Sequence, residues 1–95
     1  MTSQSAAVEL VNQRGLHARA SAKFVTIVSA LDGGLRVEVE KDGTRVTGTS
    51  IMGLMMLGAA KGASITIHVS GEDEERVDKA LAKLSGLVKD GFGED

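Results

Sequence analysis

Asp42-Gly43 stands between two runs of alternating side chains, and that arrangement leaves the chain few ways to fold. Before it, Leu35, Val37 and Val39 alternate with Arg36, Glu38 and Glu40; after it, Thr44 to Thr49 continues in strand-forming residues. Aspartate and glycine both accept the positive φ of a two-residue hairpin turn, so the two runs read as antiparallel neighbours. A further run turns Ile65, Ile67 and Val69 to one side and Ser64, Thr66 and His68 to the other. Strands with a single apolar face need a second layer to bury it.

Helical periods supply that layer. Residues 6–12, where Val8 and Leu10 alternate with Ala7 and Glu9, read as a first strand that Asn12-Gln13-Arg14-Gly15 interrupts. From Leu16 the spacing changes, and Ala20, Phe24, Ile27, Val28 and Leu31 recur on one helical face, with Gly33-Gly34 expected to end it. Ser50 to Leu57 reads as a short helix closed by Gly58. Ser70, three residues before Asp73, resembles a capping box, and the acidic run Glu72 to Glu75 suits a helix start. Val77, Ala80, Leu81, Leu84 and Val88 then form an apolar stripe, with Lys79, Lys83 and Lys89 beyond the acidic run. Gly91 to Asp95 is expected to be a frayed tail. The predicted fold is α+β, a four-stranded, mostly antiparallel sheet with three helices on one face, in the order βαββαβα. It forms one domain over 1–95, with a core of about 6–89 and flexible ends.

Ninety-five residues allow only a modest core, so any chemistry belongs at the surface. A net charge of -2 and the lack of Trp and Tyr argue against a general nucleic-acid binder. The absence of cysteine removes disulfides, thiolate metal sites and cysteine nucleophiles. No cofactor is expected, and two histidines far apart in sequence make no metal site. Met1 to Ala7 is polar and small, unlike a signal peptide, and the apolar stretch Ile51 to Ala60 is too short to span a bilayer. The expected location is the cytoplasm.

Three features carry candidate chemistry. His17 falls where strand gives way to helix, so the unpaired N–H groups of Ala18, Arg19 and Ala20 lie near its ring, and Arg19 adds a positive fork. Such surroundings hold an anion and disfavour imidazolium, which leaves a ring nitrogen available as nucleophile. On spacing alone, a surface histidine beside an arginine is the commoner reading. His68, mid-strand with Thr66, reads as a solvated or hydrogen-bonded strand residue. Ser50 can cap the helix that follows or accept a phosphate there, beside Ile51, Met52 and Met55. Met52, Met55 and Met56 cannot all face inward on one short helix; exposed thioethers would suit a surface for several partners, and core filling is the equal alternative.

Two segments stand out, Gly15-Leu16-His17-Ala18-Arg19 and Ser50-Ile51-Met52-Gly53-Leu54-Met55-Met56-Leu57-Gly58-Ala59-Ala60-Lys61-Gly62-Ala63. Both are similar to the HPr family, the histidine-containing phosphocarriers of the bacterial phosphoenolpyruvate-dependent phosphotransferase system. The resemblance runs from about Ala6 to Val88 and implies the family's open-faced β-sandwich. It implies that His17 is the phosphoryl acceptor, at Nδ1, that Arg19 stabilises the phosphate, and that Ser50 is a regulatory phosphorylation site. It also implies Enzyme I as donor, a histidine of an IIA-type domain as recipient, and an HPr kinase/phosphorylase acting on Ser50. A protein of this kind is not an enzyme in the strict sense; it is expected to act as a monomer, without nucleic acid or membrane insertion.

Ala20 departs from the family, which usually has proline there. Alanine keeps helix propensity and regains an N–H donor, so the anion site is expected to survive with less rigidity. Lys23 followed by Thr26 and Ser29 makes this face less basic than in some relatives, which shifts docking toward apolar contacts from Met52 and its neighbours. The competing reading is a regulatory or small-molecule-sensing α+β module without covalent chemistry, which would need neither His17 and Arg19 nor an exposed methionine helix.

Overall fold

The computed structural model describes residues 1–31 and 33–94. The chain runs β1 (Thr2–Glu9), α1 (Ala18–Ser29), β2 (Arg36–Lys41), β3 (Thr44–Thr47), α2 (Ile51–Met56), β4 (Ser64–Gly71) and α3 (Glu74–Lys89), and then a 3-10 turn over Gly91–Gly93. The four strands form one antiparallel sheet in the order β1-β4-β2-β3. Asp42 (φ 50°) and Gly43 (φ 84°) make the tight turn between β2 and β3, as the sequence predicts.

Val8, Val37, Val39, Ile65, Ile67 and Val69 turn to one face of the sheet, where Phe24, Leu54, Val77, Leu84 and Val88 from the helices cover them. The other face keeps the polar half of each alternation. There, Glu38, Glu40, Arg45 and His68 form ion pairs and hydrogen bonds across the strands.

Several boundaries differ from the sequence reading. The first strand begins at Thr2 and ends at Glu9, where 6–12 was expected. It lies at the sheet edge, and its start, Thr-Ser-Gln-Ser, pairs with Gly71 to His68 through the backbone without an apolar alternation to mark it. Leu10 leaves the ladder yet stays buried, exchanging hydrogen bonds with Ala63 and Gly62. The first helix ends at Ser29, ahead of Gly33-Gly34, because the N–H groups of Ala30 and Leu31 tighten onto Thr26, Ile27 and Val28. Ser70 caps nothing, since it belongs to β4. The cap of α3 is Asp73, which accepts from the N–H groups of Glu75 and Arg76.

The largest correction lies at the chain end. Gly91 to Glu94 is ordered against the domain rather than frayed; Asp95 lies outside the described residues. Gly91 (φ 63°), Phe92 (φ 60°) and Gly93 (φ 74°) are all left-handed, which reverses the chain. That backbone costs a non-glycine residue about 1–2 kcal/mol. Burial of the Phe92 ring, 1% exposed, offsets it, and the Lys23 ammonium donates to the Phe92 carbonyl at 2.7 Å.

Candidate phosphoryl-acceptor site

The site is assembled on the loop between β1 and α1. Gly15 has φ 58°, and a Cβ there would lie 2.3 Å from the Ala59 carbonyl oxygen, so no other residue fits without moving backbone. Leu16 donates its N–H to that same carbonyl at 3.0 Å and buries its side chain. The loop is thus pinned to the segment after α2, and His17 emerges from it as the N-cap of α1.

His17 caps nothing with its side chain. The first helical hydrogen bond runs from Ser21 N–H to the His17 carbonyl at 2.9 Å, and the N–H groups of Ala18, Arg19 and Ala20 have no backbone or side-chain acceptor among the described residues. No acidic residue occupies the first turn of α1. Arg19 is exposed and forms no ion pair with a described residue. A helix start with unpaired N–H groups and an exposed guanidinium beside it have the chemistry that suits an anion.

The ring itself is held. Its Nε2 lies 2.7 Å from Glu94 Oε2, with the two side chains only 12% and 18% exposed. The other carboxylate oxygen, Oε1, accepts from Asn12 Nδ2 at 3.2 Å, and the same Nδ2 donates to the Gly15 carbonyl at 2.8 Å. Both partners of the Asn12 amide are acceptors, which fixes its NH2 toward them. The hydrogen bond from His17, helped by that from Asn12 and by the charge of Lys23, holds the Glu94 carboxyl below its ordinary 4.5 against the opposing effect of desolvation. Nδ1 receives no hydrogen bond from the described residues.

Ser50 lies at the start of α2. Its Oγ accepts from Gly53 N–H at 2.9 Å, the capping geometry that the sequence allows. A Cβ on Gly53 would crowd Ser50 Oγ and Val46 Cβ at 3.1 Å, so glycine lets the cap close against β3. Leu54 and Leu57 turn inward, while Ile51, Met52, Met55 and Met56 are 39%, 70%, 41% and 80% exposed. All three methionines therefore face outward, and core filling is excluded for them. Helices α1 and α2 pack together, but Ser50 makes no hydrogen bond to His17 or Arg19.

The chain matches the family model described as "PTS HPr component phosphorylation site" over residues 4–90. It is 46% identical to the phosphocarrier protein HPr of Neisseria meningitidis over 87 residues, 92% of each chain. It is 34% identical to the phosphocarrier protein NPr of Escherichia coli K12, over 93% of each chain. The crystal structure of the Bacillus anthracis HPr superposes with a TM-score of 0.81 at 33% identity, covering 93% of this chain and 99% of the other. The chain belongs to the HPr family.

Membership agrees with the fold read from the sequence. At the position where HPr proteins usually have proline, Ala20 is fully buried, and Ser21 behind it donates its hydroxyl to the Leu16 carbonyl. The helix start is thus braced by packing and a side-chain bond. Asn12, Phe92 and Glu94 are the residues that reading the sequence missed, and Lys23, read there only as a basic residue of this face, also braces the chain end. A signal was present: Phe92 is one of two aromatic residues in the chain and stands between glycines, unusual for a free tail.

Proposed function

We propose that His17 accepts a phosphoryl group at Nδ1 from phosphorylated Enzyme I and passes it to a histidine of an IIA-type domain. The observation that carries this reading is the pairing of an engaged Nε2 with an unengaged Nδ1 at the start of α1. Transfer needs a ring nitrogen with its lone pair available, and a place for the phosphoryl oxygens. The N–H groups of Ala18, Arg19 and Ala20, with the Arg19 guanidinium, supply that place. The same groups serve in both directions, which suits a carrier that must give up what it accepts.

Ser50 is the regulatory site in this reading, modified by an HPr kinase/phosphorylase. A phosphate on Oγ would remain at a helix N-terminus, so the cap is retained and the fold with it. The change falls on the exposed surface of Ile51, Met52 and Met55, where about two negative charges would oppose docking of the partners that also reach His17. The exposure of these side chains supports an apolar contribution to docking, and a steep loss of Enzyme I affinity with salt would count against it.

The test is incubation with phosphoenolpyruvate and Enzyme I. The expected result is an acid-labile phosphate on the wild type that is absent in His17→Ala. No labelling of the wild type would end the proposal. Acid-stable labelling by ATP and the kinase, lost in Ser50→Ala, tests the regulatory site separately, and parallel assays with sugar-specific and nitrogen-branch IIA domains identify the recipient.

A further inference from the structure

We infer that Glu94, carried back by the C-terminal turn, is a positioning residue that fixes the tautomer of His17 and so selects Nδ1 as the nucleophile. The inference rests on the carrier reading above for its effect on transfer, but not for its effect on the ring.

The geometry begins with Phe92. Its buried ring and the Lys23 bond to its carbonyl anchor the left-handed turn, so Glu94 reaches a residue 77 positions earlier in the chain. The Glu94 N–H donates to the Gly91 carbonyl at 3.0 Å, which closes the turn on itself. Glu94 is therefore presented from a braced backbone rather than from a loose end.

A carboxylate accepts hydrogen bonds and donates none, so the hydrogen between Nε2 and Oε2 belongs to Nε2. A neutral imidazole has one N–H, and placing it on Nε2 leaves the lone pair on Nδ1. During transfer, that lone pair forms the N–P bond as the bond from phosphorus to the donor's leaving group breaks. The Nε2–H stays in place, and the ring becomes a phosphorylated imidazolium with Glu94 as counter-ion. On the return step, the electron pair of the N–P bond goes back to Nδ1, and the ring leaves as the neutral Nε2–H form without needing a proton from outside. Glu94 touches no transferred atom; it acts through the ring.

Asn12 makes the substitution Glu94→Gln unusually informative. Its Nδ2 requires an oxygen at the Oε1 position, so the glutamine NH2 must face His17. Nε2 would then accept, and the ring hydrogen would move to Nδ1. Glu94→Ala removes the constraint without reversing it.

The readout is the nitrogen spectrum of the His17 ring in the 15N-labelled, full-length, unphosphorylated protein at about pH 9, where imidazoles are neutral. The wild type is expected to show hydrogen on Nε2, Glu94→Gln hydrogen on Nδ1, and Glu94→Ala a mixture. In single-turnover phosphorylation by charged Enzyme I, Glu94→Gln is expected to be slower by at least about tenfold and at most about 10⁴-fold, the loss that a wrong tautomer causes in a catalytic triad. Glu94→Ala is expected to fall between it and the wild type. A wild-type ring with hydrogen on Nδ1, or a Glu94→Gln ring and rate like the wild type, overturns the inference. If the wild type takes up no phosphate at all, the carrier reading fails while the ring spectrum still decides the tautomer.

Discussion

The molecule contains two histidine–glutamate pairs of nearly the same geometry, and only one sits at a helix start. His17 Nε2 is 2.7 Å from Glu94, and His68 Nε2 is 2.8 Å from Glu40. Both rings are mostly covered, at 12% and 20% exposed. The backbone distinguishes them. His68 lies in β4, which pairs with β1 on one side and β2 on the other, so the amides around it belong to the sheet. Its glutamate is shared with Arg45 at 3.6 Å. Among the described residues, His17 precedes three N–H groups with no acceptor and an arginine with no carboxylate. A paired histidine is thus common to both places; the open helix start is what would let one of them hold an anion.

The contrast is broken most directly by removing each ring. His17→Ala is expected to abolish acid-labile phosphorylation, whereas His68→Ala should retain it within about twofold, the scatter expected of a surface change away from the reacting atoms. Loss of labelling in both variants would mean that the open sheet face belongs to the docking surface and that the two histidines are not functionally separate.

The next effect is on the clasp that only His17 possesses. Phe92→Ala empties a fully covered aromatic position and is expected to cost about 3–5 kcal/mol in urea unfolding. It should also release Glu94, so the His17 ring spectrum should move toward that of Glu94→Ala. A loss under about 1 kcal/mol would show that the turn contributes little burial energy. His68 has no such dependence on the chain end.

Why the sheet was legible and the Glu94 clasp was not follows from where the information lies. The sheet, the hairpin and the helix faces are written as local periods, so Leu35 to Glu40, Asp42-Gly43 and the stripe from Val77 to Val88 could be read directly. His17, Arg19 and Ser50 could be placed at a change of period, where a helix must begin. Spacing alone favoured a bland role for them, and only the resemblance to the HPr family implied their chemistry. Glu94 and Asn12 carry no period. Their meeting depends on a left-handed turn at Phe92 that folds the chain end across the domain, a tertiary event. The edge strand at Thr2 was hidden for a related reason: its pairing is made by backbone, and its side chains are polar on an open face.

A smaller effect separates the helix starts. Ser50 closes α2 with its own hydroxyl, whereas His17 leaves α1 open. Ser50→Ala is expected to cost about 0.5–2 kcal/mol in unfolding without changing the His17 ring spectrum. Ser50→Asp keeps an acceptor at the cap and so should recover that stability, yet slow phosphoryl transfer through its charge beside Met52 and Met55. If Ser50→Asp transfers as fast as the wild type, charge at this helix is not what partners sense.

The smallest effect is in acid. The folded Glu94 carboxyl lies below its ordinary 4.5, chiefly because it accepts from His17. The unfolded chain therefore binds this proton first as pH falls, and stability drops with pH through that interval. The contribution is fully present above the ordinary carboxylate range and is lost once pH passes below the depressed folded value. In urea titrations between about pH 5 and pH 2, Glu94→Gln should accordingly lose less stability than the wild type. Because both side chains retain some exposure, the difference is modest and shrinks with salt. An acid limb unchanged by Glu94→Gln would mean that the carboxylate is held no more firmly in the folded chain than in the unfolded one, and His17 would then differ from His68 by its backbone alone.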